Sequence, residues 1–259
     1  MPDYQAILYE VRDSVAQITL NRPEAANSLN HQLSSELLDA LIRSEENPEV
    51  RALVLTGSGR FFCAGADLKS FYTQVGALRD RISHLHVALS RIVRAPFPVI
   101  AAVNGTAAGG GMGLACGCDL IIAAESAKFV MAYSRIGLSP DGTTTYFLPR
   151  RIGIGRALEL AYTNRSLSAH EALEWGLANR VVPDAELATE AHNFAAGLAK
   201  GATRALAAAK RLMHMGFVET VETQIENELR SIFELAGSDD VKEAIKAFNE
   251  KRPAVFSGR

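Results

Sequence analysis

The sequence predicts an α/β fold followed by a helical C-terminal part. Two apolar runs, RALVLTG (51–57) and PVIAAVNG (98–105), have the unbroken hydrophobicity of buried parallel strands, and a glycine-rich loop follows each run. Between them, residues 71–94 carry apolar side chains at helical spacing. This alternation of strand, glycine loop and helix is typical of an α/β core with right-handed crossovers.

The N-terminal segment is predicted to form two strands and a helix. AILYEVRDSVAQITL (6–20) holds two β-rich runs around a turn at residues 12–14. A polar loop, NRPEAANSLN (21–30), then ends at Asn30, which is a good N-cap for the amphipathic helix that follows.

The second half of the chain is predicted to be mainly helical. DLIIAAESAKFVMA (119–132) returns to strand, and the chain is expected to be helical after Leu148. Ser168 and Glu171 have the spacing of a capping box. The stretches 185–215 and 217–251 are rich in Ala, Glu and Leu. We therefore expect an α/β core over residues 1–195 and a helical region over residues 196–259.

Composition excludes several classes of partner. With 27 basic and 29 acidic residues, the net charge of −2 argues against a surface built for nucleic acid. No apolar run approaches the ~20 residues that span a bilayer, and the first residues lack a signal-peptide pattern, so we expect a cytoplasmic protein without a membrane partner. The spacing of Cys63, Cys116 and Cys118 suits neither a disulfide nor a metal site, which predicts free buried thiols.

The glycine loops do not fit nucleotide binding. GTAAGGGMGLACGCDL (105–120) lacks the Gly-Lys-Ser/Thr of a P-loop, and the dinucleotide fingerprint is broken at Cys116, so a nucleotide-dependent oxidoreductase is a weak alternative. Glycines also let a backbone approach a ligand, and amides at a helix start point outward. Two such loops facing each other would form an oxyanion hole. Close helix packing would use the same small residues, and both interpretations stay open on composition.

Several segments together resemble the crotonase, or enoyl-CoA hydratase/isomerase, superfamily. They are FCAGADL (62–68), residues 98–129, NRPEAANSLN (21–30), LEWGLANRVV (173–182) and AFNEKRPAVF (247–256). The resemblance implies a spiral of ββα units with a helical C-terminal trimerisation region. It also implies an acyl-CoA substrate and a homotrimer or a hexamer made of two trimers. No separate cofactor or metal is implied, because coenzyme A enters as part of the substrate.

The resemblance assigns roles to residues of this chain. The amides of Ala66 and Gly110 would form the oxyanion hole that holds a thioester enolate. The backbone around Ala64, Asp67 and Leu68 would contact the adenine end of coenzyme A. The side chains of Arg22 and Lys251 would approach its phosphates.

The same resemblance separates two reactions. Hydratases of this family carry one glutamate three residues after the oxyanion glycine and a second one twenty residues later, and these positions are Gly113 and Tyr133 here. Asp141 follows Pro140, as does the single base of 3-enoyl-CoA/2-enoyl-CoA isomerases and of the ring-epoxide isomerase of phenylacetate breakdown. We therefore expect an isomerase with Asp141 as proton shuttle, and Tyr133 as an accessory residue that lines the pocket or binds the substrate.

Other activities of the superfamily remain as alternatives. In 4-chlorobenzoyl-CoA dehalogenases an aspartate at the position of Asp141 is the nucleophile. A histidine twelve residues before the proline of PVIAAVNG, here His86, activates water. His86 would otherwise line the acyl pocket. A hydratase and a non-catalytic acyl-CoA-binding protein are the two further alternatives.

Overall fold

The computed structural model describes residues 3–68 and 78–258. Its strands are β1 (Ile7–Arg12), β2 (Val15–Leu20), β3 (Ala52–Gly57), β4 (Phe61–Cys63), β5 (Val99–Val103), β6 (Thr106–Ala108), β7 (Leu120–Ala124), β8 (Lys128–Val130), β9 (Leu167–Ser168) and β10 (Arg180–Val182). Its helices are α1 (His31–Glu46), α2 (Leu78–Arg94), α3 (Gly110–Gly117), α4 (Thr144–Ile152), α5 (Ile154–Thr163), α6 (Ala169–Glu174), α7 (Leu187–Ala199), α8 (Thr203–Met215), α9 (Val221–Ala236) and α10 (Asp239–Asn249).

Two sheets form the centre of the fold. The larger sheet has the order β1-β2-β3-β5-β7-β10, in which only β1 and β2 are antiparallel neighbours. The smaller sheet has the order β4-β6-β8-β9, with β8 and β9 antiparallel. Each of β3, β5 and β7 in the large sheet is followed directly by a short strand of the small sheet. The repeated strand-and-loop unit is thus a ββα unit that contributes one strand to each sheet.

Helices cover both sides of the large sheet. On one side, α1, α2 and α3 pack into the main core with the small sheet. On the other side, α7 places Leu187 and Ala191 against strand residues such as Ile100 and Ile122. The predicted boundary between residues 195 and 196 falls within α7, and the division of the chain there stays a prediction.

Several local predictions are confirmed. The chain turns between β1 and β2, and Oδ1 of Asn30 caps α1 by accepting from the amide of Leu33 at 2.9 Å. Ser168 and Glu171 form the expected capping box of α6. The three cysteines are free and buried. Residues 71–77 of the predicted 71–94 helix lie outside the described residues, and α2 confirms the rest.

Two strands lie in the part of the chain that the sequence predicts to be helical. The chain after Leu148 was predicted to be helical, yet β9 pairs with β8 and β10 pairs with β7. These strands are two and three residues long, too short to show an alternating pattern. Their conformation depends on the neighbouring strand that each one meets. No helix in the described ranges is long and apolar enough to cross a membrane.

Candidate active site

A cleft of about 350 Å³ lies where the two glycine-rich loops meet the loop that carries Asp141. Its wall is largely apolar, and the large aliphatic side chains that line it are Leu29, Leu68, Ile82, Leu85, Ile136 and Leu138. Concave sites with apolar walls and a few convergent polar groups are typical of small-molecule binding.

The amide of Ala66 is left available by the local backbone pairing. Leu29 and Ala66 form a parallel β-bridge, in which the amide of Leu29 donates to the carbonyl of Gly65 at 2.7 Å. The amide of Asp67 donates to the carbonyl of Leu29 at 3.0 Å. Because only alternate amides of an extended segment face its neighbour, the Ala66 amide faces away from this bridge. No acceptor for it lies within residues 3–68 and 78–258.

The amide of Gly110 is available for a different reason. Gly110 is the first residue of α3, and first-turn amides have no acceptor within their own helix. In the described part of the chain no other group accepts from it. Partial positive charge at this helix start would favour an anionic oxygen.

Glycine lets the start of α3 pack directly against β4 and the loop that follows it. A Cβ atom at Gly65 would lie 3.3 Å from the nitrogen of Gly110, and a Cβ at Gly111 would lie 2.1 Å from the carbonyl oxygen of Cys63. A side chain at Gly111 would therefore push α3 away from β4. Both amides border one cleft because α3 starts directly against the loop that follows β4.

Asp141 lines the same cleft as Ala66 and Gly110. The Tyr133 hydroxyl donates to Oδ1 of Asp141 at 2.8 Å, and Nε2 of His86 lies 3.8 Å from Oδ2. The Thr144 hydroxyl donates to the Asp141 carbonyl oxygen at 2.9 Å, which holds the backbone of the loop. Burial, followed by the charge of Asp141, raises the pKa of Tyr133 well above its usual range. Tyr133 is therefore a protonated donor at neutral pH.

The position of the first hydratase glutamate is closed. A Cβ atom at Gly113 would lie 2.3 Å from the carbonyl oxygen of Gly142 and 3.0 Å from Oγ1 of Thr144. The Asp141 loop thus fills the space that a side chain at Gly113 would need. Among the residues that the structure describes, the carboxylates that line the cleft are those of Asp67 and Asp141.

The predicted coenzyme A residues fall into two groups. Ala64, Asp67 and Leu68 line the cleft. Arg22 is engaged within the protein, since Nη1 donates to the carbonyl of Ser28 at 2.7 Å and Nη2 lies 3.2 Å from Oδ2 of Asp67. Lys251 follows α10 and does not line the cleft in this chain. The coenzyme A roles of all these residues stay predictions.

Sequence reasoning missed Thr144 as a member of the site. Its hydroxyl bonds to a carbonyl three residues earlier, a pattern that Ser and Thr often form near helix starts. The Asp-Gly-Thr-Thr run before α4 is the signal that could have indicated it.

Known proteins identify the family. The family model described as enoyl-CoA hydratase/isomerase matches residues 10–259. The chain belongs to the enoyl-CoA hydratase/isomerase family. A Rhodobacter capsulatus protein named "Probable enoyl-CoA hydratase" is 43% identical, with 99% of each chain covered. The "1,2-epoxyphenylacetyl-CoA isomerase" of Escherichia coli is 41% identical, with 98% of each chain covered.

Further relatives of the enoyl-CoA hydratase/isomerase family agree with this assignment. An Arthrobacter "4-chlorobenzoyl coenzyme A dehalogenase-1" is 35% identical over 95% of this chain and 91% of the relative. The crystal structure of an enoyl-CoA hydratase from Bacillus anthracis has a TM-score of 0.93 at 37% identity, covering 98% of this chain and 100% of that chain. The predicted crotonase-like α/β fold is therefore confirmed.

Proposed function

We propose that this enzyme shifts a carbon–carbon double bond in an acyl-CoA thioester, with Asp141 moving the proton. One observation carries the proposal: the Asp141 carboxylate faces the same apolar cleft as the Ala66 and Gly110 amides. The other carboxylate of the cleft, Asp67, is bound to Arg22. Asp141 is therefore the better candidate for a base.

The proposed reaction needs one base and one oxyanion hole. Asp141 removes a proton from C2 of a 3-enoyl thioester, and the electron pair of the C–H bond passes into a dienolate whose charge rests on the thioester oxygen. The amides of Ala66 and Gly110 donate to that oxygen. Removing one donor of this kind typically costs about 10²–10³ in rate. Asp141 then returns the proton to C4, which leaves a 2-enoyl thioester without the use of a cofactor.

Hydration by the two-glutamate mechanism is disfavoured. The first glutamate position is Gly113, which the carbonyl of Gly142 closes, and the second is Tyr133. The relative named as an epoxyphenylacetyl-CoA isomerase supports isomerisation, and it also extends the candidate substrates to ring-derived acyl groups.

Dehalogenation is the second candidate. It is favoured by His86, whose Nε2 lies 3.8 Å from Oδ2 of Asp141, and by the Arthrobacter relative. In this reaction Asp141 would attack the ring carbon that bears chlorine and expel chloride. Water activated by His86 would then hydrolyse the aryl ester and restore the carboxylate.

A substrate panel tests these proposals. The purified enzyme is given 3-hexenoyl-CoA, crotonyl-CoA, 1,2-epoxyphenylacetyl-CoA and 4-chlorobenzoyl-CoA, and isomerisation, hydration and chloride release are followed. We expect isomerisation, and Asp141→Asn should reduce it by about 10²–10⁴-fold. Asp239→Asn, at an exposed aspartate at the start of α10, is the matched control.

Other outcomes of the substrate panel would indicate a different function. Chloride release would establish the dehalogenase, and binding without turnover of any thioester would indicate a non-catalytic protein. Rapid hydration of crotonyl-CoA, or an Asp141→Asn enzyme that isomerises at the wild-type rate, would overturn the proposal.

We also propose that the protein assembles with itself through its C-terminal helices. A stripe of exposed apolar side chains follows one face of α9, at helical spacing: Val221, Ile225, Leu229 and Ile232, with Phe233 beside it. Contiguous exposed apolar surface marks interaction sites. The stripe therefore supports the trimer, or hexamer of two trimers, that the family resemblance implies.

A further inference from the structure

The two oxygens of the Asp141 carboxylate have different surroundings. Oδ1 accepts a hydrogen bond from the Tyr133 hydroxyl at 2.8 Å. Oδ2 lies 3.8 Å from Nε2 of His86, which is beyond hydrogen-bond distance. The Asp141 side chain is 38% exposed and lines the cleft. One oxygen is thus held by the protein, while the other has room to meet a substrate.

Tyr133 is itself held in place. Its ring is buried, and its backbone amide donates to the carbonyl of Met131 at 2.8 Å. Its own carbonyl accepts from the amide of Leu138 at 3.1 Å. A Cβ atom at Gly109 would lie 3.8 Å from Cζ of Tyr133, so the ring rests against the glycine loop that carries Gly110. Tyr133 therefore connects the oxyanion loop with the loop of the base.

The backbone near this pair is strained on both sides. Ala132, next to Tyr133, has a φ of 63°, and Thr143, two residues after Asp141, has a φ of 66°. A β-branched residue in this left-handed region is a real outlier. Such conformations persist only where the surrounding packing imposes them, and they cluster at functional sites. The packing therefore imposes the relative placement of the two side chains.

We propose that Tyr133 is a positioning residue whose hydroxyl anchors Oδ1 of Asp141, so that Oδ2 carries the proton between C2 and C4. This inference rests on the proposed isomerase function. Oδ2 accepts the C2 proton, the C–H electron pair passes into the dienolate, and the Oδ2–H bond then breaks to form the C4–H bond. The Tyr133 proton stays on the phenol throughout, consistent with a pKa that burial and the Asp141 charge raise.

Orientation and proton transfer are separated by the pH dependence of kcat. A change in orientation lowers kcat by the same factor at every pH, because it acts on the geometry of the competent enzyme. A fall in kcat confined to one side of the pH profile would report altered proton transfer and overturn the positioning role.

The first test compares kcat and KM in Tyr133→Phe, which keeps the buried ring and removes only the hydroxyl. We expect kcat for 3-hexenoyl-CoA isomerisation to fall about tenfold to a hundredfold, as for other small misplacements of a catalytic group. KM should stay within about twofold, since uniform substrate binding is unchanged. Tyr162→Phe, at a tyrosine that is 76% exposed, is the matched control.

A double mutant shows whether Tyr133 acts through Asp141. Residual C2 proton exchange in D₂O is followed by NMR for Asp141→Asn with and without Tyr133→Phe. We expect no further loss in the double mutant, because Asp141→Asn has already removed the proton-carrying carboxylate that Tyr133 would position. An additive loss would overturn the inference.

The remaining outcomes distinguish this inference from the proposed function. A wild-type kcat in Tyr133→Phe, with Asp141→Asn inactive, would overturn the positioning role and leave the isomerase intact. A fully active Asp141→Asn would overturn both. Labelling the six tyrosines with ¹³Cζ gives a test that does not depend on the folding of Tyr133→Phe. One tyrosine signal should move in Asp141→Asn, and an unchanged spectrum would contradict the hydrogen bond.

Discussion

Replacing Gly113 with alanine should displace the Asp141 loop and reduce activity. The added Cβ would lie 2.3 Å from the carbonyl oxygen of Gly142, which is backbone and has no rotamer by which to move away. Carbon–oxygen contacts in proteins lie at about 3.3–3.6 Å, so the loop must retreat by roughly 1 Å. Asp141 is the residue directly before Gly142 and would move with it.

Both stability and rate should change. Overpacking a filled core typically costs about 1–3 kcal/mol of unfolding free energy. A misplacement of about 1 Å in the catalytic geometry can cost about 10²-fold in rate. We therefore expect Gly113→Ala to lower the unfolding free energy by about 1–3 kcal/mol. Its kcat for 3-hexenoyl-CoA isomerisation should fall by roughly two orders of magnitude. Gly113→Glu should lose at least as much and gain no crotonyl-CoA hydration.

Gly197→Ala is the matched control. Gly197 also lies within a helix, α7, but apart from its own helix backbone no atom of the described residues lies within 4 Å of the Cβ that alanine would add. Its replacement should stabilise the fold by about 0.5–1 kcal/mol, because glycine is a poor helix former, and leave kcat unchanged. Urea unfolding measures the first quantity and steady-state kinetics the second. If Gly113→Ala kept wild-type stability and kcat, the loop would not fill the space at Gly113.

Three further predictions concern the surroundings of the site. Arg22→Gln should lower the unfolding free energy by about 1–3 kcal/mol, because it removes a charged hydrogen-bond donor from the mostly buried Asp67 carboxylate and from the carbonyl of Ser28. Urea unfolding measures this loss, and a loss of coenzyme A affinity alone in binding assays would instead favour the phosphate role. Burial raises the pKa of the three cysteine thiols to about 11 or 12. Their contribution to stability is therefore full below the unfolded value of about 8.5 and is lost as the pH rises toward the folded values. Urea unfolding should show falling stability above that pH, and rapid thiol labelling of the folded protein at pH 8 would contradict the burial. Ile232→Glu with Phe233→Glu should reduce the mass measured by light scattering to that of one chain, whereas an unchanged mass would place the assembly surface elsewhere.

Local patterns were enough to predict much of the fold and several site residues. Apolar runs followed by glycine predicted an α/β core, the family resemblance implied its ββα units, and the spacing of Ser168 and Glu171 predicted a helix start. These features depend on near neighbours in the chain, for which propensity and capping rules suffice. Asp141 was identified as a candidate from the family resemblance, and its place in the cleft agrees with that expectation.

The features that local patterns did not predict depend on contacts between segments that are distant in the chain. Arg22 pairs with Asp67, 45 residues away in the chain, a contact that chain spacing does not indicate, and its expected role at the coenzyme A phosphates stays a prediction. The carbonyl of Gly142 fills the space beside Gly113, so that a loop packs against α3 although it lies much later in the chain. The strands β9 and β10 exist because β8 and β7 provide their hydrogen-bond partners.

The physical reason is that these interactions depend on distance in space, which residue type and chain spacing do not specify. The glycine stretch 105–120 illustrates both what the sequence determines and what only the folded structure decides. Its composition indicated close backbone approach, but only the folded structure identified what approaches: the Cys63 carbonyl at Gly111 and the Gly142 carbonyl at Gly113. The first contact packs the start of α3 against β4, and the second packs the loop that carries Asp141 against α3.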